Sequence, residues 1–413
     1  MSDQYPRMRY VDAFPVDISG QRYVYLRDPL GMSDKALSVT LPAFFIITLL
    51  DGQHSAREIQ LAFTRQFGDV PSEQDIEAII RQLDEQYLLD NGRYQEYRRG
   101  LEGEFRRQAG RPAWHAGKVY PTDADECRRA LDGYFLAEGG PGRPGPLTTP
   151  GGLLGAIAPH IDLPRGGWCF AWAYKALAEA CDADLFIIFG TAHGLMRHPF
   201  GLTRKAYETP FGPLPADPAF IDALLQAYDG LFDPFEDEFE HRSEHSIEFQ
   251  VLYLQYLFGG RRPITAVPIL CGSMHESILQ GRSPAEDPRV SSFTRALRSA
   301  VADAERQGRK VFFLSGADLA HMGPRFGDPF ETDAPVLQEI EAHDRQLLEA
   351  VERVDAEAFF RHIEQDKDRR RVCGYPPIYT MLSVMNARQG RLLQYGQRTD
   401  EGSAVTFASM AFY

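Results

Sequence analysis

Residues 153–160 read Leu-Leu-Gly-Ala-Ile-Ala-Pro-His, an apolar run that ends in a proline and a histidine. A short apolar run with small residues predicts a buried strand, and Pro159 fixes the direction in which the chain leaves it. Open α/β sheets build their functional sites just past the carboxyl ends of strands. The stretch therefore predicts an α/β sheet with His160 at its functional edge.

Two further apolar runs end in the same way. Residues 185–189 lead to Gly190-Thr191-Ala192-His193, and residues 311–314 lead to Ala317-Asp318-Leu319-Ala320-His321. A fourth segment, Val372-Cys373-Gly374, precedes a predicted helix. We therefore expect one metal centre, assembled from distant parts of the chain, with the candidate ligands His160, His193, His321 and Cys373.

The rest of the second half supports this architecture. From about residue 114 onward, apolar runs of strand length alternate with helical patterns, and the last predicted element is a helix over 376–389. Such alternation is typical of a layered α/β domain. We expect a largely parallel sheet with helices on both faces.

The first hundred residues have a different pattern. A strand is predicted at 23–26 and a helix at 42–50, and Ser55 and Ser72 each begin a further helix, Ser55 through a capping box with Glu58. Asn91-Gly92 between apolar residues predicts a small hairpin over 87–94. Helices followed by a hairpin indicate a winged-helix domain over 1–98, a charged linker over 99–112 and the α/β domain over 113–413.

Composition excludes several classes of protein. The 413 residues carry a formal net charge of −14, so the overall field repels nucleic acid. Residues 1–6 show no signal-peptide pattern, and the longest apolar run near the start, 43–50, is too short to span a membrane. We expect a cytoplasmic protein, without nucleic-acid or membrane partners, in which most of the five widely scattered cysteines are buried thiols.

Three segments at or beside the expected ligands carry further chemistry. Glu244 and His245 open an amphipathic helix, where a capping role competes with a role toward ligands or substrate, and His241 lies four residues before His245, the spacing of a zinc pair. Asp318 can fix the tautomer of a ligating histidine. Cys373 at a helix N-terminus suits a metal ligand or a nucleophile.

The N-terminal region resembles the PqqD-like peptide-recognition domains through Leu49-Leu50-Asp51-Gly52, the helix from Ser55 and residues 83–89. A generic winged helix that binds DNA is the alternative. The acids Glu73, Asp75 and Glu77 near the start of one helix argue against contact with phosphates.

From about residue 114 to the end, the chain resembles the Memo family, also called AmmeMemoRadiSam system protein B. The resemblance rests on six segments in matching order: 115–120, Ile157-Ala158-Pro159-His160, Gly190-Thr191-Ala192-His193, Glu244-His245-Ser246-Ile247-Glu248, Asp318-Leu319-Ala320-His321 and Cys373-Gly374. It implies a fold similar to that of class III extradiol dioxygenases. It also implies that His160, His193 and Cys373 are the metal ligands, with His321 and Asp318 beside them.

These features favour a metal-dependent redox enzyme that resembles a dioxygenase and acts on a peptide or a small molecule. Imidazole and thiolate ligands suit iron or copper, and zinc less well in this setting. His321 would act as acid or base, with Asp318, His245 and Glu244 as further catalytic residues, and the family name implies a radical SAM partner protein. The alternatives are a non-catalytic metal-binding scaffold and a zinc-dependent hydrolase.

Overall fold

A computed structural model describes residues 5–28, 31–32 and 37–413. The first four residues, which belong to the segment searched for a signal peptide, lie outside this range. The chain divides into two compact units, residues 1–107 and 108–413. Within the described ranges, every helix is too short or too polar to cross a membrane.

The described part of the first unit combines a small antiparallel sheet with four helices. The strands pair in the order β1 (Asp12–Ile18), β2 (Gln21–Arg27) and β3 (Leu37–Thr40), so the strand predicted at 23–26 lies within β2. The helices of its described part are α1 (Leu41–Thr48), α2 (Ala56–Phe67), α3 (Glu73–Glu85) and α4 (Gly92–Arg107).

Local capping explains where α2 and α3 begin. The Glu58 carboxylate accepts from the backbone N–H of Ser55 at 2.8 Å, and the Ser55 hydroxyl accepts from the Glu58 backbone in return, which confirms the predicted capping box. Ser72 and Asp75 form the same arrangement at the start of α3. Each box satisfies two N–H groups that the helix itself leaves without an acceptor.

The hairpin predicted over 87–94 is wrong. Leu89 forms an isolated bridge with Met8, and the Asn91 side chain accepts from the backbone N–H of Tyr94 at 3.0 Å as α4 begins. Asparagine favours a helix start as readily as a turn, and here the helix prevails. Residues expected to form the linker are accordingly helical as far as Arg107.

The second unit is a layered α/β structure. Its described residues form an eight-stranded sheet in the order β11-β13-β5-β10-β6-β9-β7, with β12 added to β13. The strands are β5 (Gly155–Ala158), β6 (Leu185–Thr191), β7 (Phe200–Leu202), β9 (Thr265–Cys271), β10 (Val311–Gly316), β11 (Asp318–Met322), β12 (Gly390–Asp400) and β13 (Ser403–Phe412), and a separate pair is formed by β4 (Gly110–Arg111) and β8 (Ala206–Tyr207).

The helices of this unit are α5 (Ala124–Leu136), α6 (Leu163–Ala180), α7 (Pro218–Ala227), α8 (His245–Phe258), α9 (His275–Gln280), α10 (Pro288–Arg306), α11 (Ala334–Glu352), α12 (Ala356–Gln365) and α13 (Tyr375–Val384). Short 3-10 helices span Glu238–Arg242, Pro284–Glu286 and Pro324–Phe326.

The central strands explain why helices cover both faces. β5, β10, β6 and β9 run parallel, and their side chains alternate between two apolar cores. Phe186 and Ile188 belong to the core that includes α6 and α8, whereas Leu185 and Ile187 belong to the core that includes α10 and α13. Strands buried on both faces are continuous apolar runs, which confirms the expected α/β architecture with a parallel core.

The C-terminal hairpin was not predicted. β13 pairs antiparallel with both β5 and β11, and all ten of its residues are buried. The sheet is therefore mixed outside its four central strands. The predicted final helix over 376–389 ends at Val384, and the chain then turns into β12.

We predict that residues 1–107 fold alone, because the apolar core of this unit is built from its own residues. In that fragment, Leu83→Ala should lower the free energy of unfolding by about 2–5 kcal/mol, since Leu83 is 0 % exposed and its loss leaves a cavity. Urea denaturation measures the change.

Leu61→Ala is the control, because Leu61 is 52 % exposed and should change the free energy of unfolding by no more than about 0.5 kcal/mol. Equal effects of the two substitutions, or a fragment without a cooperative transition, would contradict an independent core.

Candidate metal centre

The topology brings the expected ligands to one edge of the sheet. β10 lies between β5 and β6, and the three strands run parallel, so their carboxyl ends are neighbours. His160 follows β5, His193 follows β6, and Asp318 begins β11 directly after β10. Cys373 reaches the same edge from the segment that precedes α13.

His160, His193 and Cys373 form a compact set of donors. Their ligand atoms all lie within 4.8 Å of one another, and the Cys373 Sγ is 3.2 Å from Nε2 of His160. Two metal–ligand bonds of about 2.0–2.3 Å span up to about 4.6 Å, so the 3.2 Å pair can share an ion directly and no other pair exceeds that reach by more than about 0.2 Å. The three side chains can therefore share one ion.

Hydrogen bonds orient both imidazoles toward that point. Nδ1 of His160 lies 2.9 Å from the Gly316 carbonyl oxygen, and Nδ1 of His193 lies 3.0 Å from the Glu244 carboxylate. Both partners accept only, so Nδ1 must carry the proton in each ring. The Nε2 lone pairs are left for a ligand, the arrangement that a metal-binding histidine needs.

Glu244 organises one side of the site. Its carboxylate accepts from the backbone N–H of His193 at 2.8 Å, and from the N–H groups of His245 and Ser246 at the start of α8. Burial raises the pKa of this carboxyl, but the charges of His193 and His245 and the hydrogen bonds from His193 prevail and hold it well below its usual value. Glu244 is therefore an anion that caps a helix and positions a candidate ligand.

The same carboxylate affects the imidazole of His193 in the opposite direction. Desolvation lowers the pKa of His193, but the charge of Glu244 and its hydrogen bond outweigh desolvation and raise it. The His193 side chain remains 40 % exposed. His193 is thus the most exposed member of the donor set, whereas His160 is buried, which lowers its pKa to about 3.

Asp318 and His321 lie on the other side. Asp318 Oδ1 accepts from the backbone N–H of His160 at 2.9 Å, so the carboxylate positions the main chain of His160, while Gly316 fixes the ring tautomer. Burial raises the pKa of Asp318 to about 6 and lowers that of His321 to about 4. His321 does not belong to the compact donor set, and its Nδ1 lies 3.1 Å from the Leu319 carbonyl oxygen.

His245 packs against both candidate ligands. Its ring stacks on His193 with centroids 4.8 Å apart and meets His160 edge-on at 5.3 Å. Its Nδ1 lies 3.2 Å from Glu244, and burial lowers its pKa well below the usual value. His245 is therefore a neutral imidazole beside the compact donor set. His193, Glu244 and His245 also form a second group with metal-binding spacing.

The zinc pair considered for His241 and His245 does not form. His241 lies in a 3-10 helix that ends before α8, and both of its ring nitrogens have protein partners, the Tyr207 hydroxyl at 2.8 Å and the Gly201 carbonyl oxygen at 3.1 Å. Its role is structural.

Cys373 is a protonated thiol in the absence of a metal. A helix N-terminus was expected to favour the thiolate, but burial, followed by the charge of Asp318, raises the pKa of the Cys373 thiol well above its usual value. The expectation for the other cysteines is confirmed, since Cys127, Cys169, Cys181 and Cys271 are free and buried. Among the five cysteines, all within the described ranges, Cys373 alone is partly exposed.

A buried network around Arg111 supports the site, and the sequence did not reveal it. Arg111 is 0 % exposed and donates to the backbone carbonyls of His241 and Glu244, both at 2.8 Å, and to the Glu248 carboxylate. The same carboxylate accepts from Tyr120 and from the backbone N–H of His115. The available signal was the Glu248 that closes the 244–248 segment, the one acid of a helix that has no lysine or arginine.

Comparisons with known proteins identify relatives of this chain. Residues 111–411 match the sequence profile of a family that is described as "Memo-like protein". A MEMO1 family protein of Aquifex aeolicus is 24 % identical over 413 residues, which cover 99 % of this chain and all of the relative. One from Methanopyrus kandleri is 30 % identical over 312 residues, 72 % of this chain and 96 % of the relative.

A third relative, a MEMO1 family protein of Thermus thermophilus, is 25 % identical over 342 residues, which cover 82 % of this chain and 92 % of the relative. The family match spans nearly all of the unit that contains the candidate metal centre. The chain belongs to the Memo family.

Proposed function

We propose that this protein is a metal-dependent oxidoreductase that resembles a dioxygenase, with one iron or copper ion held by His160, His193 and Cys373. The observation that carries the proposal is the convergence of these three donors within 4.8 Å, with the Nε2 atom of each imidazole left for a ligand. Two imidazoles and a thiolate are a donor set that suits iron and copper.

The number of donors supports a catalytic rather than a structural ion. In the described part of the chain the compact set contains three residues, and structural sites are typically closed by four. A bound ion would supply Lewis acidity and a redox couple at this edge of the sheet. The remaining positions would be open to substrate, which argues against the scaffold alternative.

The protein's own groups would move protons on two sides of the ion. His321 is neutral at physiological pH, because burial lowers its pKa to about 4, and it would accept a proton from a substrate bound beside Asp318. His245, also neutral, would do so on the side of Glu244. Of the two roles expected for His321, ligand or acid–base group, its absence from the compact set supports the second.

The wider context of the reaction is also part of the proposal. The parallel core with a site at its carboxyl edge supports a fold like that of class III extradiol dioxygenases. The first unit would be a PqqD-like domain, without the hairpin expected over 87–94, that presents a peptide or engages a radical SAM partner protein in the cytoplasm. The full-length match to the Aquifex aeolicus relative supports a shared role for this unit, because that relative includes it.

A zinc-dependent hydrolase remains the second candidate, because His193, Glu244 and His245 provide a histidine and carboxylate group of the kind that zinc accepts. Elemental analysis of protein purified without added metal distinguishes the two. Iron or copper near one equivalent supports the oxidoreductase, and zinc at that level supports the hydrolase.

Cys373→Ser should lower the affinity for the bound metal by about tenfold or more, at least the effect of losing a supporting residue, because a neutral hydroxyl is a poorer ligand than a thiolate. Competition with a chelator measures the affinity. Cys181→Ser is the matched control, since Cys181 is buried at the end of α6, outside the donor set. Equal metal content in the two variants would refute ligation by the thiolate.

Glu244→Gln should lower metal affinity by about 10–100-fold, because the amide removes the charge that orients His193 but keeps an oxygen that can cap α8. Glu236→Gln is the control, since Glu236 pairs with Arg197 and His198 outside the donor set. An affinity unchanged by Glu244→Gln, in a variant with unaltered thermal stability, would show that His193 needs no orienting carboxylate.

The fragment of residues 1–107 should not bind duplex DNA, because α3 begins with the acids Glu73 and Asp75, which repel phosphates. Fluorescence anisotropy with labelled duplex at low salt tests this. Binding that weakens steeply as salt rises is the signature of phosphate contacts, and it would replace the peptide-recognition role with a regulatory one.

A further inference from the structure

A cavity lies at the far end of β11 from Asp318. It has a volume of about 320 Å³ and is lined in part by the apolar side chains of Met322, Phe330, Val336 and Ile340. This volume is near the lower end of the range found for small-molecule sites, about 300–1,000 Å³. The cavity therefore suits an occupant of amino-acid size rather than a large cofactor.

Charges of both signs line the same cavity. Arg369 is exposed and makes no ion pair with a described residue, and the Glu339 side chain is 70 % exposed with only a 4.0 Å contact to His343. Arg370 is different, because it is buried and already pairs with Asp344 at 2.8 Å and Asp366 at 3.0 Å. The cavity thus offers one available cation, one available anion and an apolar wall.

We propose that this cavity is a binding site for a zwitterionic α-amino acid with an apolar side chain. We further propose that its occupancy controls access to the Cys373 thiol. The ligand carboxylate would pair with Arg369, the ammonium with Glu339, and the apolar side chain would cover Met322 and Ile340. Asp366 strengthens the preference for a donor-bearing ligand, because its Oδ1 is buried without a hydrogen-bond partner among the described residues.

The segment that connects the cavity to Cys373 is short, and its backbone is strained. The segment 366–372 joins the cavity to Cys373, and three of its non-glycine residues, Lys367, Asp368 and Arg371, have φ values of 56°, 53° and 50°. Such left-handed conformations persist only where neighbouring contacts hold them. The backbone carbonyl of Arg370 also accepts from the N–H of His321 at 2.7 Å, which ties the segment to the candidate centre.

A ligand that engages Arg369 would hold this segment in place and so restrict access to the Cys373 thiol. The binding itself does not depend on the proposed function; only the consequence for a metal-bound Cys373 does. Calorimetry and thiol alkylation are therefore both done on the metal-free full-length protein. A negative result in either one counts against this cavity and not against the proposed metal centre.

Isothermal titration with L-phenylalanine tests the site. We expect binding that is weaker by about tenfold or more for the amide and for the N-acetyl derivative, since each removes one ion-paired group. Arg369→Ala should weaken L-phenylalanine but leave the amide unchanged, whereas Arg353→Ala, an exposed control, should change neither. Equal affinity for L-phenylalanine and both derivatives, or no binding at all, would overturn the proposal.

Alkylation of Cys373 by iodoacetamide tests the control of the thiol. Saturating L-phenylalanine should slow the reaction by about fivefold or more, the lower end of typical coupling between sites. Ile340→Trp, which fills the cavity, should abolish the effect, and Gln338→Trp on the exposed face of α11 should preserve it. If L-phenylalanine binds and the rate does not change, control of Cys373 is refuted.

Discussion

The carboxylate of Glu244 is the interaction on which the candidate centre depends. It accepts hydrogen bonds from two N–H groups of His193 and from two at the start of α8. A buried anion is tolerated only when donors surround it, and here the donors belong to a strand end and a helix start. One side chain therefore fixes the position of β6's exit, the N-terminus of α8 and the tautomer of a candidate ligand.

Arg111 extends that dependence to the beginning of the second unit. The guanidinium lies over the Tyr207 ring at 4.9 Å, holds the Glu244 backbone and pairs with Glu248. Removing one partner of a fully buried ion pair leaves an uncompensated charge, which is strongly destabilising. The segment 111–120 is therefore part of the site's support, although it contributes no member of the compact donor set.

The features that could be predicted from the sequence are those that depend on short-range interactions. The strands before His160, His193 and Asp318 were predicted, because a buried parallel strand appears in the sequence as a short continuous run of apolar residues. The capping box of α2 was local too. Asn91 misled because asparagine suits both a turn and a helix cap. The hydrogen bonds of Arg111 to His241, Glu244 and Glu248 were missed because these partners lie more than 100 residues away, as does β5, one partner of β13. The β12–β13 hairpin is local, and its turn at Glu401-Gly402, where both residues have positive φ, was the sequence signal that was overlooked. For the candidate site, the residue types and their positions at strand ends predicted which residues meet. The different roles of Glu244, which orients the His193 ring, and Asp318, which binds the His160 backbone, could be seen only in the three-dimensional structure.

The position of β13 has a consequence for biosynthesis. The ribosome delivers residues 403–412 after every other strand of the sheet, yet β13 pairs directly with β5, the strand that leads to His160. Until it arrives, β5 presents an unpaired edge, and such edges recruit foreign strands. A nascent chain thus holds the strand that leads to His160 in an unfinished sheet, and the candidate donor set has its complete sheet beneath it only after synthesis has passed this hairpin.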